Sequence, residues 1–319
     1  MADQADAAGG LRSSGWSSTL NAGQPAAIEA IRSPDIAARY MATYDALLRK
    51  WPVEYESLHI ATRYGSTHVV ASGPRDAPPL VLLHAFQATA LAWRANVEEL
   101  SRHFRVYAVD IIGQGGKSAS SRPLKKRQDF ADWMCELFDA LGIQQAALVG
   151  NSYGAFLALN QASLAPERVK QIVMINPGGT FVSFLPHILR MLWVHLLQTL
   201  RLKPNHSKPD IAKILGRSVQ LRPDEAEWAA LVTLVAFDRK VRPNAIFPVV
   251  FPTSELRAIR PPAMLLMGDN ELLYDPHATL RLAQRRMPSL QVHTIPGAHH
   301  MAAMAKPAEV NARLIQFLS

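Results

Sequence analysis

A single cysteine, Cys135, is the only thiol in 319 residues. An internal disulfide is therefore excluded, and this usage fits a reducing compartment. No stretch of transmembrane length is free of charge and polarity. The nearest, "FVSFLPHILRMLWVHLLQTL" (181–200), carries His187, Arg190 and His195 and reads as an amphipathic helix covering an apolar surface. The opening segment "MADQADAAGGLRSSGWSSTLNAGQPAA" has early acidic residues and lacks the apolar core of a signal peptide. It reads as a flexible lead-in over 1–27, and the expected location is cytoplasmic. Eleven histidines are present without zinc-type spacing, and His299 and His300, as sequential neighbours, are poorly placed to chelate one ion. No metal and no cofactor is expected.

Acidic charge is also in the minority: 34 Lys+Arg face 26 Asp+Glu, a net +8. The excess is scattered, and its one compact cluster, Arg122, Lys125, Lys126 and Arg127, lacks interleaved aromatics and any nucleic-acid motif. A solvated loop leading into a helix is expected there, with no nucleic-acid partner and no stable membrane insertion.

What the chain does have, from about residue 53, is a regular alternation of short apolar runs with helical patterns, the signature of an α/β protein with a mostly parallel sheet. The runs are "VEYESLHIAT", "THVVASG", "PLVLLHA", "FRVYAVD", "AALVGNS", "VKQIVMIN", "AMLLMGD" and "LQVHTI". The first two are separated by only "RYGS", which suits an antiparallel hairpin, whereas the later ones are apolar enough to be buried on both faces. Helical patterns fall at 28–52, 91–102, 128–141, 153–164, 276–286 and 307–318. The alternation breaks at 178–259, where helical patterns such as "EAEWAALVTLVAFDR" replace strands. A cap over one sheet end is expected there, between core segments 28–177 and 260–319, roofing the cleft at the carboxyl ends of the strands. Its Phe181, Phe184, Trp193 and Trp228 suit an apolar substrate group, although packing onto the core explains most of them as well.

"LVGNSYGAF" places Gly150, Asn151, Ser152, Tyr153 and Gly154 between an apolar strand and a helix, the context that a G-x-S-x-G nucleophile elbow requires. Small residues two positions either side of the serine admit a sharp turn, and the Tyr153 amide at the helix N-terminus can face a developing oxyanion. A serine hydroxyl needs a base, and the base needs an orienting acid. Later strand ends supply Asp269, Glu271 and Asp275 in "GDNELLYDP", then His299 and His300 in "PGAHHM".

These residues, with "LLHAF", "DIIGQGGKS" and "GDNE", give the chain from about residue 53 onward a resemblance to the α/β-hydrolase superfamily, within it to bacterial serine carboxylesterases with a helical cap. The resemblance implies an eight-stranded, mostly parallel sheet flanked by helices with a cap insertion. It places the acid three residues after Gly268, at Glu271, with Asp269 as rival and Asp275 as the residue opening the next helix. The base usually stands seven residues before a proline, which selects His300 ahead of Pro307 and leaves His299 where glycine is usual. The oxyanion donors implied are the amides of Phe86 and Tyr153, with Ala85 replacing a glycine and His84 structural. Asp110 would hold the turn of Gly113, Gly115 and Ser118, and these glycines match no phosphate-binding pattern.

The implied activity is hydrolysis of a small carboxylic ester through an acyl-enzyme. The alternatives are a carbon–carbon bond hydrolase of ring-fission products, a cofactor-free perhydrolase and a non-enzymatic receptor. A dehalogenase is disfavoured because Ser152 stands where its aspartate would.

Overall fold

A computed structural model describes residues 33–183, 225–236 and 245–319. The expected lead-in over 1–27, the amphipathic stretch 184–200, and with it Phe184 and Trp193, lie outside the described residues. No helix among the described residues is long and apolar enough to cross a membrane.

The strands are β1 (Tyr55–Thr62), β2 (Gly65–Ser72), β3 (Pro79–Leu83), β4 (Arg105–Val109), β5 (Ala119–Ser120), β6 (Ala146–Asn151), β7 (Val169–Ile175), β8 (Ala263–Gly268) and β9 (Gln291–Ile295). They form one sheet in the order β1-β2-β4-β3-β6-β7-β8-β9, with β5 paired to β2 off this path. β1, β2 and β4 pair antiparallel, and every pairing from β4–β3 through to β8–β9 is parallel. The eight expected strands are thus present, and β5 is an addition to them. Two residues are too few for any periodic signal. Their place is legible only in three dimensions: Gly65 has φ +130° and a Cβ there would lie 2.0 Å from the Ala119 carbonyl oxygen, so only glycine lets the two backbones meet.

β6 and β8 are buried along their whole length, and β1 alternates, as interior parallel and edge antiparallel strands should. Because successive side chains point to opposite faces, Leu80 and Leu82 of β3 enter one core while Val81 and Leu83 enter the other. Helices α1 (Pro34–Leu48) and α2 (Arg94–Leu100) cover the first face. α3 (Arg127–Ala140) and α4 (Tyr153–Leu164) cover the second.

The stretch between β7 and β8 is described only in part. It contains α5 (Ala226–Ala236) and α6 (Thr253–Arg257). Trp228 and Leu231 of α5 are buried in the first core, and Lys50 after α1 pairs with Glu227 at 2.6 Å. After β8 come α7 (Pro276–Arg286), α8 (Ala302–Ala305) and α9 (Pro307–Leu318). Arg286 at the end of α7 donates to the Phe181 carbonyl (3.1 Å), to the Phe251 carbonyl and to the Thr253 hydroxyl (3.1 Å). The Phe251 amide in turn reaches the Thr180 carbonyl at 3.1 Å, so the two described ends of the stretch between β7 and β8 are tied together.

The first helix is shorter than the 28–52 pattern: it ends at Leu48, and Trp51 leaves it with its indole N–H on the Ser72 hydroxyl at 3.0 Å. The basic cluster also differs from a purely solvated loop. Arg127 is half-buried, forms a two-toothed pair with Glu255, donates to Asn160 at 2.7 Å and covers the Phe251 ring, so it joins α3, α4 and α6. Arg122 lies 4.4 Å over the Tyr64 ring.

Candidate active site

Parallel pairing from β4 to β9 brings the carboxyl ends of β3, β6, β7, β8 and β9 to one edge of the sheet, and each of the candidate residues leaves from one of them. β6 ends at Asn151, α4 begins at Tyr153, and Ser152 between them holds φ +52° and ψ −108°. A non-glycine residue in this region costs on the order of 1–3 kcal/mol and survives only where its surroundings dictate it. Here they do: the Ser152 amide donates to the Ile175 carbonyl at 2.9 Å, and the Ser152 carbonyl accepts the Phe156 amide at 3.2 Å. The flanking glycines are needed for close approach. A Cβ on Gly150 would stand 2.2 Å from the Gly154 backbone, and one on Gly154 would stand 2.1 Å from the Leu83 carbonyl oxygen.

Ser152 Oγ lies 2.8 Å from His300 Nε2, and His300 Nδ1 lies 2.6 Å from Glu271 Oε2. The other carboxylate oxygen, Oε1, accepts the Leu272 and Leu273 amides at 2.8 and 2.9 Å. Burial pushes the Glu271 carboxyl up, but its hydrogen bond to His300, with the two amides, outweighs this and holds it below the ordinary glutamate value. An ionised Glu271 only accepts hydrogen bonds, so His300 carries its proton on Nδ1 and leaves Nε2 to accept from the serine hydroxyl. This is the polarity a general base needs.

The rival carboxylates stand elsewhere. Asp269 is exposed, and its Oδ1 accepts the Gly297 amide at 2.7 Å, bracing the loop ahead of the histidines. Asp275 caps α7 by accepting the Ala278 amide at 2.9 Å. His299 points no bond at Ser152: its buried Nδ1 has no partner among the described residues, and its carbonyl accepts from Asn176 at 3.0 Å.

After β3, the Ala88 amide closes a turn onto the Ala85 carbonyl at 3.0 Å, with Phe86 and Gln87 at its centre and Gln87 at φ +60°. His84 accepts the Ile111 amide on Nε2 at 2.9 Å and donates from Nδ1 to the Ala85 carbonyl at 2.7 Å. Burial pushes the His84 imidazole down, so it is a neutral brace for the loop. Neither the Phe86 nor the Tyr153 amide is bonded to a backbone carbonyl among the described residues. The Phe86 ring meets the Tyr153 ring edge-on at 5.8 Å while remaining half exposed.

Two residues here escaped the sequence reading. Gln114 Oε1 accepts the Gln87 amide at 3.1 Å and so braces the turn from the "DIIGQGGKS" segment. Asn176 is fully buried and bonds to both the loop that carries Glu271 and the histidine loop. Its place directly after a strand end was the one available signal.

A second hydroxyl–imidazole–carboxylate chain exists: Ser57 Oγ lies 2.9 Å from His68 Nε2, and His68 Nδ1 lies 2.8 Å from Asp110 Oδ2. Its chemistry is different. Asp110 is fully buried and already accepts from Tyr44, Ala90 and Lys117, and His68 is fully buried as well. Burial pushes the Asp110 carboxyl up, yet His68, with the Ala90 amide, holds it low. Ser57 lies in the middle of edge strand β1, without the strained strand–helix turn that lifts Ser152 and supplies an amide beside it. This array knits β1, β2 and α1 to the turn after β4. Ser118 completes it by donating to the Asp110 carbonyl at 2.5 Å, and a Cβ on Gly116 would meet the carboxylate.

Among the described residues no cluster of His, Cys, Asp or Glu could hold a metal ion. Residues 80–313 match the Alpha/beta hydrolase family. The chain is 37% identical to the uncharacterized carboxylesterase nap of Bacillus subtilis (strain 168), covering 89% of this chain and 94% of that one. It is 36% identical to the carboxylesterase YbfK of the same organism, covering 88% and 93%. The crystal structure of naproxen esterase (carboxylesterase NP) from Bacillus subtilis superposes with a TM-score of 0.79 at 34% identity, over 89% of this chain and 99% of that one.

Proposed function

This chain belongs to the alpha/beta hydrolase family, and from that premise we propose that it hydrolyses carboxylic esters by acyl transfer, with Ser152 as nucleophile, His300 as base and Glu271 as orienting acid. One observation carries the reading: the unbroken series of hydrogen bonds Glu271–His300–Ser152, at 2.6 and 2.8 Å, ending on a serine held in a strained elbow. The carboxylesterase relatives, each matched over nearly nine-tenths of this chain, support an ester as the substrate.

Ser152 Oγ attacks the ester carbonyl as its proton passes to His300 Nε2, and the imidazolium is stabilised by Glu271 across 2.6 Å. The Phe86 and Tyr153 amides, uncommitted to backbone carbonyls, would receive the oxyanion. His300 returns the proton to the departing alcohol, and water repeats the sequence on the acyl-enzyme. No cofactor enters these steps. Half-exposed Phe86 and Leu272, beside the proposed oxyanion donors and acid, favour an apolar acyl or alcohol group. Residues 178–259 would form a cap between the core segments, a division supported by the ties among Thr180, Phe251 and Arg286 at its two ends. The single cysteine supports a cytoplasmic location.

A panel of p-nitrophenyl esters of rising acyl length, assayed beside a vinylogous diketone, tests the reaction class. Ester turnover should dominate, with kcat/KM rising from acetyl to a medium-length acyl group by about tenfold or more, since each buried methylene adds ~0.8 kcal/mol. Dominant cleavage of the diketone would move the chain to the carbon–carbon hydrolases. Dominant peracid formation when hydrogen peroxide is added as the acyl acceptor would make it a perhydrolase, and inertness toward every substrate would favour a receptor.

A further inference from the structure

We propose that Asn176 is a positioning residue for the proposed catalytic base, fixing His300 and Glu271 relative to Ser152 through a single side-chain amide. The proposal rests on the triad reading above. Asn176 stands directly after β7, between the ends of β6 and β8, with φ +45° and no exposed surface. Asparagine is one of the few side chains that tolerate this backbone region. Its Nδ2 donates to the His299 carbonyl at 3.0 Å and to the His300 carbonyl at 2.9 Å. Its Oδ1 accepts the Gly268 amide at 2.9 Å, at the point where β8 gives way to the turn that carries Glu271. Its own amide donates to the Leu266 carbonyl at 2.9 Å.

Both side-chain donors and the acceptor are therefore spent on the two loops whose separation sets the His300–Glu271 hydrogen bond. The preceding residue, Ile175, accepts the Ser152 amide at 2.9 Å, so the serine is referenced to the same strand end. All three members of the triad are thereby placed from one point in the fold. An amide is required here. A carboxylate of the same shape would set an oxygen against the two histidine carbonyls, and a hydrocarbon would leave the buried Gly268 amide and the two part-buried histidine carbonyls without this partner.

Asn176→Gly keeps the positive-φ backbone and removes the side chain; Asn176→Asp keeps the shape and removes the donors. The two are compared with wild type on a p-nitrophenyl ester, well below their melting temperatures, with rates referred to the folded fraction measured by near-ultraviolet circular dichroism. A base displaced by a fraction of an ångström lowers kcat and kcat/KM together, and the expected loss is about 10- to 100-fold in each variant, with KM changing less than about threefold. A purely structural residue would lower the melting temperature and the folded fraction while leaving kcat per folded molecule intact. Glycine alone decides the question if the aspartate variant does not fold. Folded Asn176→Gly with wild-type kcat overturns the positioning role while the triad reading stands. If wild type itself shows no turnover dependent on Ser152, the triad reading fails and the positioning role fails with it.

Discussion

His300→Ala is expected to abolish nearly all ester turnover, a loss on the order of 10,000- to 1,000,000-fold in kcat, whereas His299→Gly should stay within about tenfold of wild type. The two rings are adjacent in sequence and unequal in structure. His300 bridges Ser152 and Glu271 through both nitrogens, so removing it strands the hydroxyl proton and leaves the Glu271 carboxylate without its imidazole partner. His299 contributes its backbone carbonyl to Asn176, which glycine retains, and its Nδ1 has no partner to lose among the described residues. The modest cost allowed for glycine is the added backbone freedom, roughly 0.5–1 kcal/mol. Steady-state kinetics on one ester separates the two, and equal losses from both substitutions would mean that the loop is read in the wrong register.

The second large effect belongs to the proposed acid. Glu271→Gln is expected to lower kcat roughly 1,000- to 10,000-fold, about 4 to 5.5 kcal/mol of transition-state stabilisation. Glutamine can turn its NH2 toward His300 and select the wrong tautomer, and it cannot stabilise an imidazolium. Asp269→Asn should cost less than about tenfold, because Asp269 accepts from the Gly297 amide and an asparagine oxygen can do the same. The pH dependence separates the pair further. The Glu271 carboxyl is held below its ordinary value in the folded chain. Its ionised form therefore adds stability at pH above the ordinary glutamate pKa, and that contribution is lost as pH falls through the lowered, folded value. Acid-unfolding curves of Glu271→Gln should lack this component, and those of Asp269→Asn should keep it.

The fold was legible because its strands announce themselves. Runs such as "AALVG" and "AMLLMG" carry no polar side chain, and only strands covered on both faces bury such runs along their whole length. Ser152 was legible for a related reason: close backbone contact at Gly150 and Gly154 writes itself as glycine at fixed spacing. The proposed acid was harder to place. Asp269, Glu271 and Asp275 differ in where a seven-residue loop points them, and sequence spacing carries little of that direction. Once folded, the three perform three jobs, bracing Gly297, facing His300 and capping α7. Gln114 was not legible and Asn176 offered only its place after a strand end, since their partners lie far along the chain and an isolated amide side chain gives no pattern. Arg127 looked like part of a solvated basic run because its partner, Glu255, stands 128 positions away.

The most direct measurement is covalent capture by a fluorophosphonate followed by peptide mass spectrometry of wild type and of Ser152→Ala. The account predicts one adduct per wild-type chain, on the peptide carrying Ser152, with none on Ser57 and none in the Ser152→Ala protein. A folded wild-type chain that stays unlabelled, or one labelled at any residue other than Ser152, would contradict it.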